Sequence, residues 1–174
     1  LSVLANILLT SVNVVLIVLI LAERTTWGMS AADRETYSHF PTLTPGQFRR
    51  LRKIMQRSTT EETTELLREG QPVEDLMLIL SPRINIEKEG KTYPISGPTF
   101  VGEIALLTGN KSSASVSLPK GGTVIKLPLR RLRARMSRSP ALSNAIVALF
   151  GQELARKVAD SAPMERALRR KTSS

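Results

Sequence analysis

The chain has 174 residues, a net charge of +10, no cysteine and one histidine. Its length suits one ordinary domain, and the absence of cysteine excludes disulfide scaffolds, thiol nucleophiles and thiolate metal sites. The single histidine, His39, excludes a multi-histidine metal centre, and the aromatic content of 4% disfavours proteins that stack bases on a ring platform.

The first 22 residues form an uncharged, apolar stretch in which fifteen residues are Leu, Ile or Val. As a helix this stretch would be about 33 Å long, which matches the hydrocarbon core of a bilayer. Insertion would be favoured by about 6 kcal/mol from the aliphatic residues. A signal peptide is one alternative, but no basic flank precedes the stretch and no A-x-A cleavage pattern follows it. A buried helix of a globular protein is the other alternative. We predict a transmembrane helix, with Trp27 at the lipid–water boundary.

The polar residues of this stretch recur at helical spacing. Because steps of three and four residues return to one helix face, they predict a polar stripe that packs against a neighbouring span, from a second copy or another membrane subunit. Simple tolerance of small polar residues is the alternative. The stripe consists of Ser2, Asn6, Thr10 and Asn13.

Residues 44–160 have the pattern of a β-rich domain framed by helices. Thr44 followed by Pro45 is typical of a helix start, and residues 47–57 carry one apolar face. A second amphipathic helix begins at Pro140 and continues for about five turns. Short runs of Val, Ile, Leu and Thr between turn residues predict strands near 61–67, 75–80, 83–88, 91–95, 114–118 and 123–127. We expect an α+β fold that contains a β-sandwich or barrel.

Two stretches of this domain resemble the cyclic nucleotide-binding domain family. The residues from Leu67 to Ser81 (LREGQPVEDLMLILS) resemble one family motif, and those from Gly97 to Leu107 (GPTFVGEIALL) resemble the start of its phosphate-binding cassette. The resemblance covers residues 40–160 and implies a double-stranded β-helix or jelly roll, cupin-like, with a C-terminal helix. A membrane span ahead of such a domain also resembles the layout of Popeye-domain proteins, although the Popeye ligand motifs are not present.

The resemblance implies a site for cAMP or cGMP. Glu103 stands where the family keeps the carboxylate that accepts a hydrogen bond from the ribose 2′-hydroxyl, and Gly102 lets the backbone approach the sugar. Ile104 and Ala105 begin a short helix whose N–H groups would face the phosphate. Alternatively, Glu103 only caps this short helix.

The cassette departs from the family at its phosphate-binding arginine. Ser112 occupies that position in the segment Lys111-Ser112-Ser113, and Lys111 offers a point charge one residue earlier rather than a planar guanidinium. Loss of a hydrogen bond to a charged group of about 1.5–3 kcal/mol would weaken binding by roughly 10- to 150-fold. The sequence therefore predicts a degenerate pocket that has no cofactor.

Positive charge is concentrated after Leu129, where a net charge of +8 lies. This basic region would suit an anionic lipid or an acidic partner, or it is a plain solvated face, whereas nucleic acid is disfavoured. It also places the domain on the cytosolic, stromal or matrix side of its membrane. Its densest part contains Arg130, Arg131, Arg133 and Arg135.

These patterns predict a non-enzymatic integral membrane protein that is a structural or docking subunit of a membrane complex. The alternative is a membrane regulator that responds to cAMP or cGMP. The predicted organisation is a transmembrane helix at 1–22, a connector at 23–43, the cyclic nucleotide-binding-like domain at 44–160 and a basic tail at 161–174.

Overall fold

The computed structural model describes residues 2–26 and 28–171, with side chains described for 3–21, 25–26 and 28–159. The chain divides into two compact units, Leu1–Lys53 and Ile54–Ser174. Trp27 and the side chain of Ser2 lie outside the described residues, as do the side chains of the predicted basic tail.

The described residues of the first unit form three helices, α1 (Ser2–Arg24), α2 (Ala31–Tyr37) and α3 (Pro45–Arg52). The apolar side chains of α1 are exposed along its length, from Val3 to Leu21. In length and composition α1 could cross a membrane, and it is the one such helix among the described residues. Asn6, Thr10 and Asn13 are exposed on it.

A small apolar cluster supports α2 and α3. Thr44 caps α3 through a reciprocal capping box with Gln47, and Pro45 occupies its first turn, as the sequence predicts. Phe48 of α3 is fully buried and lies against the rings of Phe40 and Tyr37, with centroid distances of 5.7 and 5.1 Å. The predicted connector at 23–43 therefore contains a helix and part of a packed cluster.

The second unit is a β-roll of two antiparallel four-stranded sheets. One sheet has the order β1-β8-β3-β6 and the other β2-β7-β4-β5. The strands are β1 (Gln56–Thr59), β2 (Thr64–Leu67), β3 (Asp75–Ile79), β4 (Ile84–Lys88), β5 (Lys91–Ile95), β6 (Thr99–Val101), β7 (Ser115–Leu118) and β8 (Thr123–Pro128).

Side chains from both sheets fill the core of the roll. Ile79 and Ile84 are fully buried there, together with Val124 and Leu118. Up to residue 171 this unit also contains three helices: α4 (Glu103–Thr108) follows β6, and α5 (Leu129–Ser137) and α6 (Pro140–Lys171) follow β8. The mixed helix and antiparallel-sheet fold predicted from the sequence is confirmed.

Several predicted boundaries are wrong. The helix predicted at 47–57 ends at Arg52, because residues 56–59 form β1 instead, paired with β8. The strand predicted from 61 begins at Thr64. The β6 strand was not predicted, since its three residues are all buried and show no alternation.

Candidate functional site

The segment from β6 to α4 forms one wall of a cavity in the β-roll. Gly102 separates the two elements at φ 88°, a left-handed conformation that favours glycine. A Cβ atom there would lie 2.9 Å from the carbonyl oxygen of Asp75 and 3.1 Å from Val73 Cγ1. The position thus requires glycine for its backbone conformation and also for the close approach of strand β3.

The structure places all seven predicted ligand residues around this cavity, which has a volume of about 110 Å³. That volume accommodates several water molecules. The apolar part of the lining includes Leu67, Ile86 and Val116. The predicted residues that line it are Gly102, Glu103, Ile104, Ala105, Lys111, Ser112 and Ser113. Their role in binding a ligand remains a prediction.

The carboxylate of Glu103 is buried and is bound by a lysine from the C-terminal helix. Glu103 is 5% exposed, and its Oε1 accepts a hydrogen bond from Lys157 Nζ at 2.6 Å. The same ammonium group donates to the carbonyl oxygen of Phe100, also at 2.6 Å. Within the described residues, the hydrogen bond that this carboxylate accepts comes from Lys157 and not from the backbone of α4. The group predicted to meet a ribose hydroxyl is therefore engaged by the chain itself.

A second contact holds α6 against the same segment. The ring of Phe150 is fully buried and meets the ring of Phe100 edge to face, with a centroid distance of 5.1 Å. Phe150 and Lys157 are seven residues apart, which places them on one face of α6 about two turns from each other. We call these two contacts, Phe150–Phe100 and Lys157–Glu103, the α6 clamp.

The α6 clamp marks the end of the packed part of the helix. Leu142, Ile146 and Leu149 are buried as the apolar face predicted, whereas Val158 is 68% exposed. The buried face of the amphipathic helix that begins at Pro140 therefore ends before Val158. The helix also extends to Lys171, beyond the predicted five turns.

Ser112, which the resemblance places at the position of the family's arginine, forms hydrogen bonds with neighbouring backbone. Its hydroxyl donates to the carbonyl oxygen of Ala114 at 2.7 Å, and its backbone exchanges hydrogen bonds with Gly70 and Gln71. Lys111 is exposed at the rim of the cavity. The described cavity lining thus contains two ammonium groups and no guanidinium, and one of the two ammonium groups is already paired with Glu103.

Arg133, which was predicted as part of the basic surface, is exposed and also contacts the short helix α4. Its Nη2 donates to the carbonyl oxygen of Ala105 at 2.7 Å. That carbonyl also accepts from Gly109 N at 2.9 Å, at the C-terminal end of α4. Arg133 is therefore a positioning residue that fixes the short helix beside the cavity.

The role of Lys157 was not predicted from the sequence. Its only signal is the seven-residue spacing from Phe150, and the sequence does not show which residue either side chain meets. The described residues contain no group of His, Asp or Glu side chains that could hold a metal ion.

Comparisons with known proteins give the fold. No family model and no curated protein matches the chain. A cyclic nucleotide-binding domain from Methylobacillus flagellatus KT is 21% identical, with a TM-score of 0.66, and covers 80% of this chain and 85% of its own. A cyclic nucleotide-binding protein from Geobacter metallireducens GS-15 is 18% identical, with a TM-score of 0.65, and covers 75% of this chain and 99% of its own.

A channel domain shares the same fold. The C-linker and CNBHD of zELK channels, crystallised in the presence of cAMP, is 16% identical, with a TM-score of 0.61, and covers 74% of this chain and 66% of its own. These proteins are named as cyclic nucleotide-binding or channel domains. The β-roll of this chain has the cyclic nucleotide-binding domain fold.

Proposed function

We propose that this chain is a non-enzymatic, membrane-anchored docking module in which the α6 clamp keeps the nucleotide pocket closed. The observation that carries the proposal is the 2.6 Å pair between Lys157 and the buried carboxylate of Glu103. A cyclic nucleotide would need that carboxylate for its ribose hydroxyl, so it would compete with the chain's own helix. Ser112 carries no charge, so a contact with the phosphate could not offset the free-energy cost of displacing Lys157 from Glu103.

The proposed anchor is α1. Its apolar side chains are exposed on all sides, from Val3 to Leu21, and the hydrophobic effect opposes leaving such a surface in water. A membrane-embedded α1 would leave the polar side chains of Asn6, Thr10 and Asn13 to meet another span, from a copy or a partner subunit. The rigid β-roll would then serve as the docking block of a membrane complex.

A binding titration tests the closed pocket. Full-length chain in mild detergent is titrated calorimetrically with cAMP and with cGMP. We expect no saturation below about 1 mM, because the carboxylate is engaged and the guanidinium is missing. Micromolar binding that disappears in Glu103→Ala would overturn the closed-pocket proposal.

Two further experiments test the anchor and the docking role. After expression in cells, the chain should stay with the membrane pellet through alkaline carbonate extraction, and release into the supernatant would contradict the anchor. Extraction in mild detergent should recover it in a complex with other membrane subunits or with its own copies. A clean monomer under those conditions would contradict the docking role.

The second candidate function is a regulator that responds to a cyclic nucleotide. The cavity of about 110 Å³ favours it, because space remains beside Glu103 and Lys111 lies at its rim. In that case the ligand would displace Lys157 and release α6, which would couple binding to movement of the helix. The same titration separates the two candidates.

A further inference from the structure

We infer that the outer face of α5 docks on the anionic headgroups of the membrane that anchors the chain. This inference rests on the proposed anchor, and it concerns four arginines that the pocket does not use. We call them the arginine face: Arg130, Arg131, Arg135 and Arg138.

The four arginines share one side of the helix. Leu129 and Leu132 are buried, and helical spacing places the arginines on the remaining arc. Arg130, Arg131 and Arg138 are exposed there, and Arg135 is half-buried. Arg131, Arg135 and Arg138 follow one another at steps of four and three residues, so these residues lie along one side of the helix. Arg130 lies beside them. Arg133 points elsewhere, to the carbonyl oxygen of Ala105.

Within the part of the chain that the structure describes, none of the four arginines of the arginine face forms an ion pair. Glu74 and Asp75 lie beside the N-terminus of α5, since Leu129 N donates to Glu74 O at 2.8 Å and Asp75 pairs with Pro128. Neither of these carboxylates forms an ion pair with the arginines. An external anion therefore has unoccupied guanidinium donors to bind.

This placement of charge opposes the stability of the helix. Like charges four residues apart, as in Arg131 and Arg135, repel each other. Cations in the first turn also face the positive end of the helix dipole, and the first turn of α5 has no acidic residue. A partner that supplies negative charge would remove both penalties.

The observations favour a lipid surface over an acidic protein. The arginine face is a convex helix surface rather than a groove, so it suits a flat array of phosphates. Guanidinium groups bind phosphates through bidentate hydrogen bonds. About thirty residues separate the end of α1 from the second unit. An anchored α1 would therefore keep α5 at a high effective concentration near the headgroups.

The test uses the lack of cysteine in the chain, which allows one label at a chosen position. Ala134→Cys, in the middle of the arginine face, carries a fluorophore. Lys120→Cys carries it in the control, in the turn at the other end of β8, about 17 Å away along the strand. Full-length chain is placed in nanodiscs of phosphatidylcholine with a nitroxide-headgroup lipid, with or without about 30% phosphatidylserine.

We expect quenching at position 134 in the anionic discs, little in the neutral discs, and little at position 120 in either. Replacement of Arg130, Arg131 and Arg135 by Gln should reduce the docked-to-free ratio by about 100-fold, at about fivefold per charge. The matched variant Arg83→Gln/Lys88→Gln/Lys91→Gln removes the same charge from exposed residues and should keep the quenching. About 0.5 M salt should abolish it.

Equal quenching in neutral and anionic discs, or undiminished quenching in the arginine variant, would overturn the inference. Release of a co-purified acidic protein by the arginine variant, with no lipid quenching, would also overturn it and would assign the face to that protein. A chain that does not enter the discs would contradict the anchor instead. In that case, quenching of the same labels by added anionic vesicles would test the docking of the arginine face independently of the anchor.

Discussion

Replacement of Lys157 by methionine removes the charged half of the α6 clamp and keeps the apolar stem of the side chain. The variant leaves a carboxylate that is 5% exposed without its partner, and it leaves the carbonyl oxygen of Phe100 without that donor. Breaking a buried ion pair in this way costs about 3–5 kcal/mol. The Lys157 side chain is 32% exposed, so solvent screening lowers the expected loss to about 2–3 kcal/mol.

The assay is denaturant unfolding of the full chain in mild detergent, followed by circular dichroism, with hydrogen exchange along α6. Exchange should accelerate in the turns around residue 157 first, because the clamp holds that part of the helix. The control is Arg156→Met, at the neighbouring position, where an exposed pair with Glu153 contributes at most about 1 kcal/mol. The double variant Lys157→Met/Glu103→Gln should recover part of the loss, since it removes the unpaired charge. Lys157→Met with unchanged stability and unchanged exchange of α6 would refute the clamp.

Three further predictions concern the cavity and the first unit. Gly102→Ala should destabilise the chain by about 2–3 kcal/mol, because its Cβ would meet the carbonyl oxygen of Asp75, whereas Gly109→Ala, with open space around it, should cost about 1 kcal/mol. Equal losses in a denaturant titration would contradict the close approach of Asp75 to Gly102. Ser112→Arg should increase the affinity for cAMP by about 10-fold or more in calorimetry, whereas Ser112→Gln should not. Equal affinities of the two variants would show that charge at this position is irrelevant. The hydrogen bond from Arg52 lowers the pKa of the Asp33 carboxyl below its ordinary value of 3.8. The pair therefore stabilises the fold at pH values above 3.8, and this stabilisation is lost as the pH falls through the lowered pKa. Thermal unfolding of Asp33→Asn should show less dependence on acid than the parent chain, and identical acid profiles would exclude the pair as a contributor.

The parts of the fold that the sequence predicts are those with a local pattern. The capped start of α3 needs only Thr44, Pro45 and Gln47, which interact within one turn. The strands from β3 to β5 and from β7 to β8 have apolar runs bounded by turn residues, and their predicted positions lie within a residue or two of the observed ones. β1 has four exposed polar residues, so pairing with β8 rather than a pattern of its own makes it a strand.

In the candidate site too, the residues that could be predicted are those that depend on local sequence, and the others depend on contacts between distant parts of the chain. The position of Gly102 to Ala105 at the cavity could be predicted because these residues lie in a short stretch that resembles a known motif, and Lys111 to Ser113 follow it closely along the chain. Lys157 could not, because its partner is 54 positions away and the contact depends on how α6 lies against the roll. Arg133 could not be distinguished from its neighbouring arginines for the same reason, since its acceptor is a backbone carbonyl on another helix.

The most direct measurement is a side-by-side titration of native chain and the Lys157→Met/Ser112→Arg variant with cAMP, both full length in the same detergent. A pocket closed by its own helix and lacking its guanidinium predicts no saturation of the native chain below about 1 mM and a gain of at least about 100-fold in the variant. Micromolar binding by the native chain, or a variant that is folded and still does not bind, would contradict it.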